Sequence, residues 1–438
     1  MFLAYSNLYS LFDKVLKFNQ DSIMSADHQD IKNITDTVNK LQLEEDNNSG
    51  NTVESRNFQI NTVNGDTEVL SANSDTDEEE SEEDNDNDDS QSKLVEAEAA
   101  FKQKEFKRIK ETYGMTEIPD STPQILPSDK ELTEDIPLDT DYIDLIHMKI
   151  ASLESLGLSR FNKVESLALR DNLIVSLHEL KHLSCKSTLQ ELDLYDNRIK
   201  HLSHHINSLK NLKTLDLSFN NIKHIKHLDN LSKLENLYFV QNKIHVIENL
   251  DGLKNLKNLE FGGNKIQRIS ESLLDLPTLE QLWLGQNRIT KFENLENLKN
   301  LRILSIQSNR IDHIGGLDSL ESLEELYVSH NRLTKIEGLD NLKKLEILDI
   351  TGNKITKIEN MRHLKNLTDF WASYNLIDSF ESISDELSEL PKLETVYFEG
   401  NPIQLKNPAQ YRTKVKLNLG KSLRKIDALY IASNRMVQ

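Results

Sequence analysis

The chain has 438 residues and a single cysteine, Cys185. One thiol excludes an internal disulfide framework and fits a reducing compartment. No apolar run approaches the roughly 20 residues that a membrane-crossing helix needs, so no membrane partner is expected. Positive charge is in deficit, with 52 Lys and Arg against 72 Asp and Glu and a formal charge of -20. No basic block offsets phosphate charge, which disfavours nucleic acid as a ligand. Catalytic signatures are missing too. There is no Gly-rich phosphate loop, no H-E-x-x-H pair and no Cys cluster, so neither an enzyme nor a cofactor is expected. Of the 13 histidines, His201, His204 and His205 cluster most closely. They read as polar outer-face residues, and no metal site is expected.

What is present divides unevenly. Residues 1–130 carry 29 Asp or Glu and 12 Lys or Arg, whereas the remainder carries 43 and 40. The acidity therefore belongs to the N-terminal part. Residues 1–92 read as a disordered acidic extension, rich in Asn, Asp, Glu, Ser and Thr and poor in large apolar residues. Its core, Asp75 to Asp89, is almost wholly acidic. Such a run repels itself and stays solvated. Ser74, Thr76 and Ser81 precede acidic residues and suit acidophilic kinases; an unmodified solubilising tail fits equally well. Met1 to Phe18 is mildly apolar. A non-structural extension, a start displaced to Met24 and a targeting helix all stay open, although the stretch lacks Arg and a small-residue cleavage site. Residues 93–112 mix apolar positions with Lys and Glu and predict one helix. Residues 113–140 carry four prolines and read as an extended linker approaching an N-terminal cap.

From residue 141 to residue 401 one pattern recurs. A typical copy runs Leu301, Leu304, Ile306, Asn309, Ile311, Ile314, Leu317, Leu320, and the next begins at Leu323. Asn falls at 172, 197, 220, 242, 264, 287, 309, 331, 353, 375 and 401. The first copy keeps an apolar frame of Ile143, Ile146, Met148, Leu153 and Leu156, with Ala151 at the Asn place. This is a leucine-rich repeat. It predicts an α/β solenoid of about twelve 22-residue repeats, with a parallel concave sheet and short helical or 3₁₀ convex segments. The longer spacings into Asn197 and Asn401 should bulge on the convex side. The Asn amide should satisfy buried backbone groups. Residues 402–438 read as a C-terminal cap built on Tyr411, Val415, Leu417, Leu419, Leu423 and Ile426. Ile136 and Leu138 are expected to help close the other end.

In L-x-x-L-x-L the residue between the last two apolar positions points away from the core. Through the repeats that column reads His147, Ala168, Asp193, Asp216, Tyr238, Glu260, Trp283, Ser305, Tyr327, Asp349, Trp371 and Tyr397. It holds both tryptophans of the chain and no Lys or Arg. The column on one side adds Glu191, Glu325 and Asp369. On the other side mostly small residues should leave the aromatics standing clear. Aromatics packing on one another would explain one or two of them. Five interleaved with carboxylates predict a protein-binding surface for a basic or donor-rich partner.

At these residues the chain resembles the leucine-rich-repeat regulatory subunit of type-1 serine/threonine protein phosphatase. The resemblance covers about residues 131–438, including the end motif Asn401-Pro402, Tyr411-Arg412 and Lys425-Ile426-Asp427. It implies a non-catalytic partner of the phosphatase catalytic subunit. The positions matching that family's contacts are Asp216, Tyr238, Glu260, Trp283, Tyr327, Asp349, Asp369, Trp371 and Tyr397. Tyr238 and Trp283 are aromatic-for-aromatic departures, and Tyr327 stands where the family has a smaller residue. The resemblance further implies a monomer on its own, a ternary complex with a phosphatase inhibitor, a nuclear and cytoplasmic location, and roles in chromosome segregation and maturation of the catalytic subunit. A leucine-rich-repeat adaptor for cytoskeletal or ribonucleoprotein partners would share the scaffold.

Overall fold

A computed structural model describes residues 131–431. By backbone contacts these residues belong to one compact unit. The extension 1–92, the helix 93–112, most of the linker, the three phosphoacceptor candidates and the alternative starts lie outside the described residues. So do the last residues of the cap.

Twelve three-residue strands follow in order: Tyr142–Asp144, Ser166–Ala168, Glu191–Asp193, Thr214–Asp216, Asn236–Tyr238, Asn258–Glu260, Gln281–Trp283, Ile303–Ser305, Glu325–Tyr327, Ile347–Asp349, Asp369–Trp371 and Thr395–Tyr397 (β1–β12). Each pairs in parallel with the next. Lys425–Ile426 (β13) adds in parallel to β12, and Leu429–Tyr430 (β14) turns back antiparallel. The central residue of β1–β12 points into the core and the two beside it point to the open face of the sheet, as the two-residue period requires. Ile and Leu from every repeat fill the core in register, and nearly all are fully buried.

The ladder asparagines are buried. Asn309 shows why: its Nδ2 donates to the carbonyls of Leu284 (2.9 Å), Ile306 (3.0 Å) and Gln307 (3.2 Å), and its Oδ1 accepts from Ile289 N (2.9 Å). One amide thus stitches two adjacent repeats together. The residue before each ladder asparagine is left-handed, from Asp171 through Tyr374 to Gly400.

The other side of the solenoid is less helical than the sequence reading held. Where strands start 22 residues apart, no helix forms. The chain turns instead through a left-handed residue, which is His227, Asn249, Asn294, Gly316, Gly338 or Asn360. Asn and Gly tolerate that conformation best. The amides of Asn249, Asn294 and Asn360 also donate to carbonyls one repeat earlier, at 2.6–2.8 Å. Helical turns appear only where a repeat has extra residues. His178–His182 and Cys185–Ser187 form 3₁₀ turns in the repeat ending at Asn197, and His204–Ser208 and Glu271–Asp275 do so in two others. The longest repeat holds a true helix, α1 (Phe380–Leu387).

The first repeat is in a different register from the one read in the sequence. Asp144, not His147, pairs with Ala168 in the outward column. His147 is exposed and ion-paired with Asp171. Met148, not Ala151, stands at the Asn place and is exposed, while Ile143, Leu145 and Ile150 are buried. Among the described residues no earlier repeat offers carbonyls there, so an amide at position 148 would find fewer partners. The end is closed instead by a 3₁₀ turn, Glu131–Thr133, whose buried Thr133 hydroxyl donates to Leu156 O (2.8 Å). Ile136 packs on the core, but Leu138 is exposed.

At the other end Pro402–Leu405 (α2) and Pro408–Asn418 (α3) cover the last repeat. Tyr411, Val415, Leu419, Leu423 and Ile426 are buried, whereas Leu417 points to solvent. Asp427 ties the cap to the sheet. It accepts from the amides of Phe398 (3.0 Å) and Glu399 (3.2 Å) and from the Tyr411 hydroxyl (3.0 Å). Burial, then the Asp427 charge, pushes the Tyr411 hydroxyl well above the usual phenol range.

Candidate partner-binding face

Parallel register brings the outward column together as a single row. Asp193 faces Asp216, Asp216 faces Tyr238, Tyr238 faces Glu260 and Glu260 faces Trp283. Further on, Tyr327, Asp349, Trp371 and Tyr397 occupy successive strands. Strands lie about 4.8 Å apart, so neighbouring side chains touch.

The aromatics do not stand clear. Trp283 and Tyr327, two repeats apart, stack with ring centroids 6.2 Å apart. Tyr327 then meets Trp371 at 6.1 Å, and Trp371 meets Tyr397 edge-on at 6.1 Å. The residues between, Ser305 and Asp349, lie buried at 1% and 7% exposure. Asp349 is therefore not an exposed charge. Its Oδ1 accepts from Thr351 N (2.9 Å) and holds the turn after the strand. Asp193 and Asp216 make the same turn bond to Tyr195 N and Ser218 N. The rings are half-buried, which leaves them as a continuous apolar strip. Trp371 Nε1 is buried with no hydrogen-bond partner.

Carboxylates sit at one end of this strip and alongside it. Burial, then the Asp216 charge, raises Glu260 to about 7. Asp216 is itself raised, chiefly by burial. Asp369, beside Trp371, accepts from the Thr368 hydroxyl (2.8 Å), and Glu325 accepts from the Tyr327 hydroxyl (2.8 Å).

Two cations reach the column from outside it, and the sequence reading missed both. Arg170 Nε meets Asp193 Oδ2 at 3.0 Å, its Nη2 lies 3.7 Å from Asp216, and its guanidinium covers the Tyr195 ring at 4.3 Å. Lys425, from the cap, sits 5.1 Å from the Tyr397 ring centre. Arg170 lies two residues beyond the column, so the period that located the column also puts it on the same face. Lys425 carried no such signal, because cap and strand meet only in the fold. The left-handed row adds exposed Phe219 and Tyr374 at the margin.

The three histidines sit away from this face. His201 and His204 are exposed. His205 packs on His204 (3.9 Å) and His178 (5.0 Å), and burial lowers its pKa. No group able to hold a metal ion occurs among the described residues. Nor is any helix among them long and apolar enough to cross a membrane.

Leucine-rich-repeat family models match residues 187–244, 277–319 and 321–363. The chain is 59% identical over 323 residues to the protein phosphatase 1 regulatory subunit SDS22 of Saccharomyces cerevisiae, covering 73% of this chain and 95% of the yeast protein. The subunit of the same name from Schizosaccharomyces pombe is 66% identical over 53 residues, 12% of this chain and 16% of that protein. Among solved structures, an internalin (InlF) of Listeria monocytogenes aligns with a TM-score of 0.51 at 20% identity, over 70% of this chain and 90% of that one. A chain of the octameric complex of latrophilin 3, Unc5D and FLRT2 gives 0.54 at 22% identity, over 68% and 92%. At that identity the likeness concerns the fold alone.

Proposed function

Because the chain belongs to the family of protein phosphatase 1 regulatory subunits named SDS22, we propose that the open face of its sheet binds the phosphatase catalytic subunit. A member of that family is a regulator and not itself a catalyst. The observation that carries the site is the unbroken aromatic strip from Trp283 through Tyr327 and Trp371 to Tyr397, with Glu260 and Asp216 at one end and Asp369 alongside. Aromatic rings ringed by polar groups supply the apolar core and rim of a protein interface. Tyr238 continues the strip toward Asp216. Asp349 contributes by shaping the turn under the rings. The carboxylates favour a basic or donor-rich partner surface. The same reading extends to maturation of the catalytic subunit, a ternary complex with an inhibitor, and work in the nucleus and cytoplasm during chromosome segregation.

The test is a titration of the catalytic subunit against the wild type and against Trp371→Ala and Trp283→Ala. Truncating a buried aromatic anchor should weaken binding by about 2 kcal/mol, or roughly 30-fold. His204→Ala, far from the strip, should change nothing. If both tryptophan variants bind like the wild type, the site is elsewhere. Mass spectrometry of proteins retained by the full chain would then decide between another phosphatase surface and a cytoskeletal or ribonucleoprotein partner.

A further inference from the structure

Each repeat places one residue directly after its ladder asparagine. In six successive repeats that residue is a cation: Lys243, Lys265, Arg288, Arg310, Arg332 and Lys354. Their backbones are fixed by a second ladder, in which Arg288 N, Arg310 N and Arg332 N donate to the carbonyls of Ile266, Ile289 and Ile311 at 2.7–2.8 Å. The six therefore form one file along the asparagine edge of the sheet. At about 4.8 Å per repeat the file is roughly 24 Å long. Five are exposed and Lys265 is half-buried. None of the six side chains makes a hydrogen bond or ion pair within the described residues. The neighbouring left-handed row is Gln241, Gly263, Gln286, Ser308, His330 and Gly352, with no carboxylate.

The opposite edge is built differently. There charges alternate from Lys213 to Glu324, and three ion pairs join neighbouring repeats: Lys257 with Glu235 (2.8 Å), Arg302 with Glu324 (2.6 Å) and Arg424 with Glu394 (3.3 Å). Like charges in register repel, and opposite ones support the stack. The paired edge needs no further partner. The cationic edge stabilises the fold less than any alternation would, so its uniform sign points to a ligand.

We infer that this file is a docking edge for an extended acidic segment of a partner protein. The six cations stand in single file, one per repeat, which matches one extended polypeptide. About eight extended residues span the same length at roughly 3.3 Å each. A single-stranded nucleic acid would need aromatic platforms for its bases, and the adjoining row has no Trp, Tyr or Phe. The edge is separate from the aromatic strip, so the two sites fail or succeed independently.

The test is binding of a fluorescent oligoglutamate peptide of about eight residues to the full chain at low salt. The wild type should bind, with affinity falling as salt rises. The triple variant Arg288→Glu, Arg310→Glu, Arg332→Glu should lose about ten-fold or more and show a flatter salt dependence. A control with the same charge change, Lys299→Glu, Lys343→Glu, Lys421→Glu, should bind normally. Equal loss in both sets overturns the edge in favour of net charge. Tighter binding of an oligonucleotide of equal charge overturns the peptide assignment. No binding by the wild type overturns the proposal outright. If the triple variant loses its cooperative melt, the single Arg→Gln changes at the same three positions carry the test.

Discussion

Trp283 and Tyr327 stack across two repeats with their planes 20° from parallel, and Ser305 of the strand between is buried beneath them. The strip is thus one packed array and not a set of separate anchors. Tyr327 also contacts Trp371. Such ring pairs are worth about 0.5–1.5 kcal/mol beyond their buried area.

Coupling between the tryptophans follows. Trp283→Ala and Trp371→Ala both unseat Tyr327, so their effects on catalytic-subunit binding should not add. A double-mutant cycle should show an interaction of roughly 0.5 kcal/mol or more. Strict additivity would mean that Tyr327 keeps its place without either neighbour.

Trp371→Phe should be no less stable than the wild type. It keeps a ring between Tyr327 and Tyr397 and removes a buried N–H that has no partner, and an unsatisfied buried donor is a cost. A clearly lower melting temperature would show that the indole nitrogen is bonded.

Glu260 should make stability depend on pH. Its folded pKa of about 7 lies above the ordinary 4.5, so the folded state holds its proton longer than the unfolded one. The stability tied to that proton is intact in acid and is lost as pH rises from about 4.5 to about 7. Glu260→Gln should therefore raise the melting temperature above pH 7 and change it little near pH 4.5. A shift of equal size at both ends would mean that the carboxyl titrates normally.

Asn309→Ala should cost about 1–3 kcal/mol, because buried carbonyls and one amide lose their partner. Urea denaturation would measure it, and an unchanged midpoint would contradict the amide's role in joining repeats.

Gly338→Ala should be more damaging than Gly315→Ala. Gly338 has φ +67, and an added Cβ would lie 2.5 Å from Ile314 O. The left-handed backbone alone costs about 1–2 kcal/mol for alanine. At Gly315 the nearest atom would be 3.4 Å away, on the His313 ring. Equal melting temperatures for the two variants would show that the turn at Gly338 relaxes.

The repeat period carried most of the architecture. A strict spacing of Leu, Ile and Asn leaves each unit able to bury its apolar edge only against its neighbours, so stacking and the outward column follow from the sequence. The spacing also located Asp216, Tyr238, Glu260, Trp283, Tyr327, Asp369, Trp371 and Tyr397 on one face. It did not settle how they share that face. Whether Trp283 reaches Tyr327 over Ser305, and so buries Asp349, depends on side-chain length against strand separation, which only the packed sheet fixes. The apolar positions of the first repeat allow two frames three residues apart, and only pairing with Ser166–Ala168 selects one. Lys425 came to Tyr397 through the folding of the cap. The cationic file shows the same division most plainly. In the sequence its members lie 22 or 23 residues apart and form no basic block. Stacking shortens that separation to about 4.8 Å, so charge that is dilute along the chain becomes concentrated along an edge.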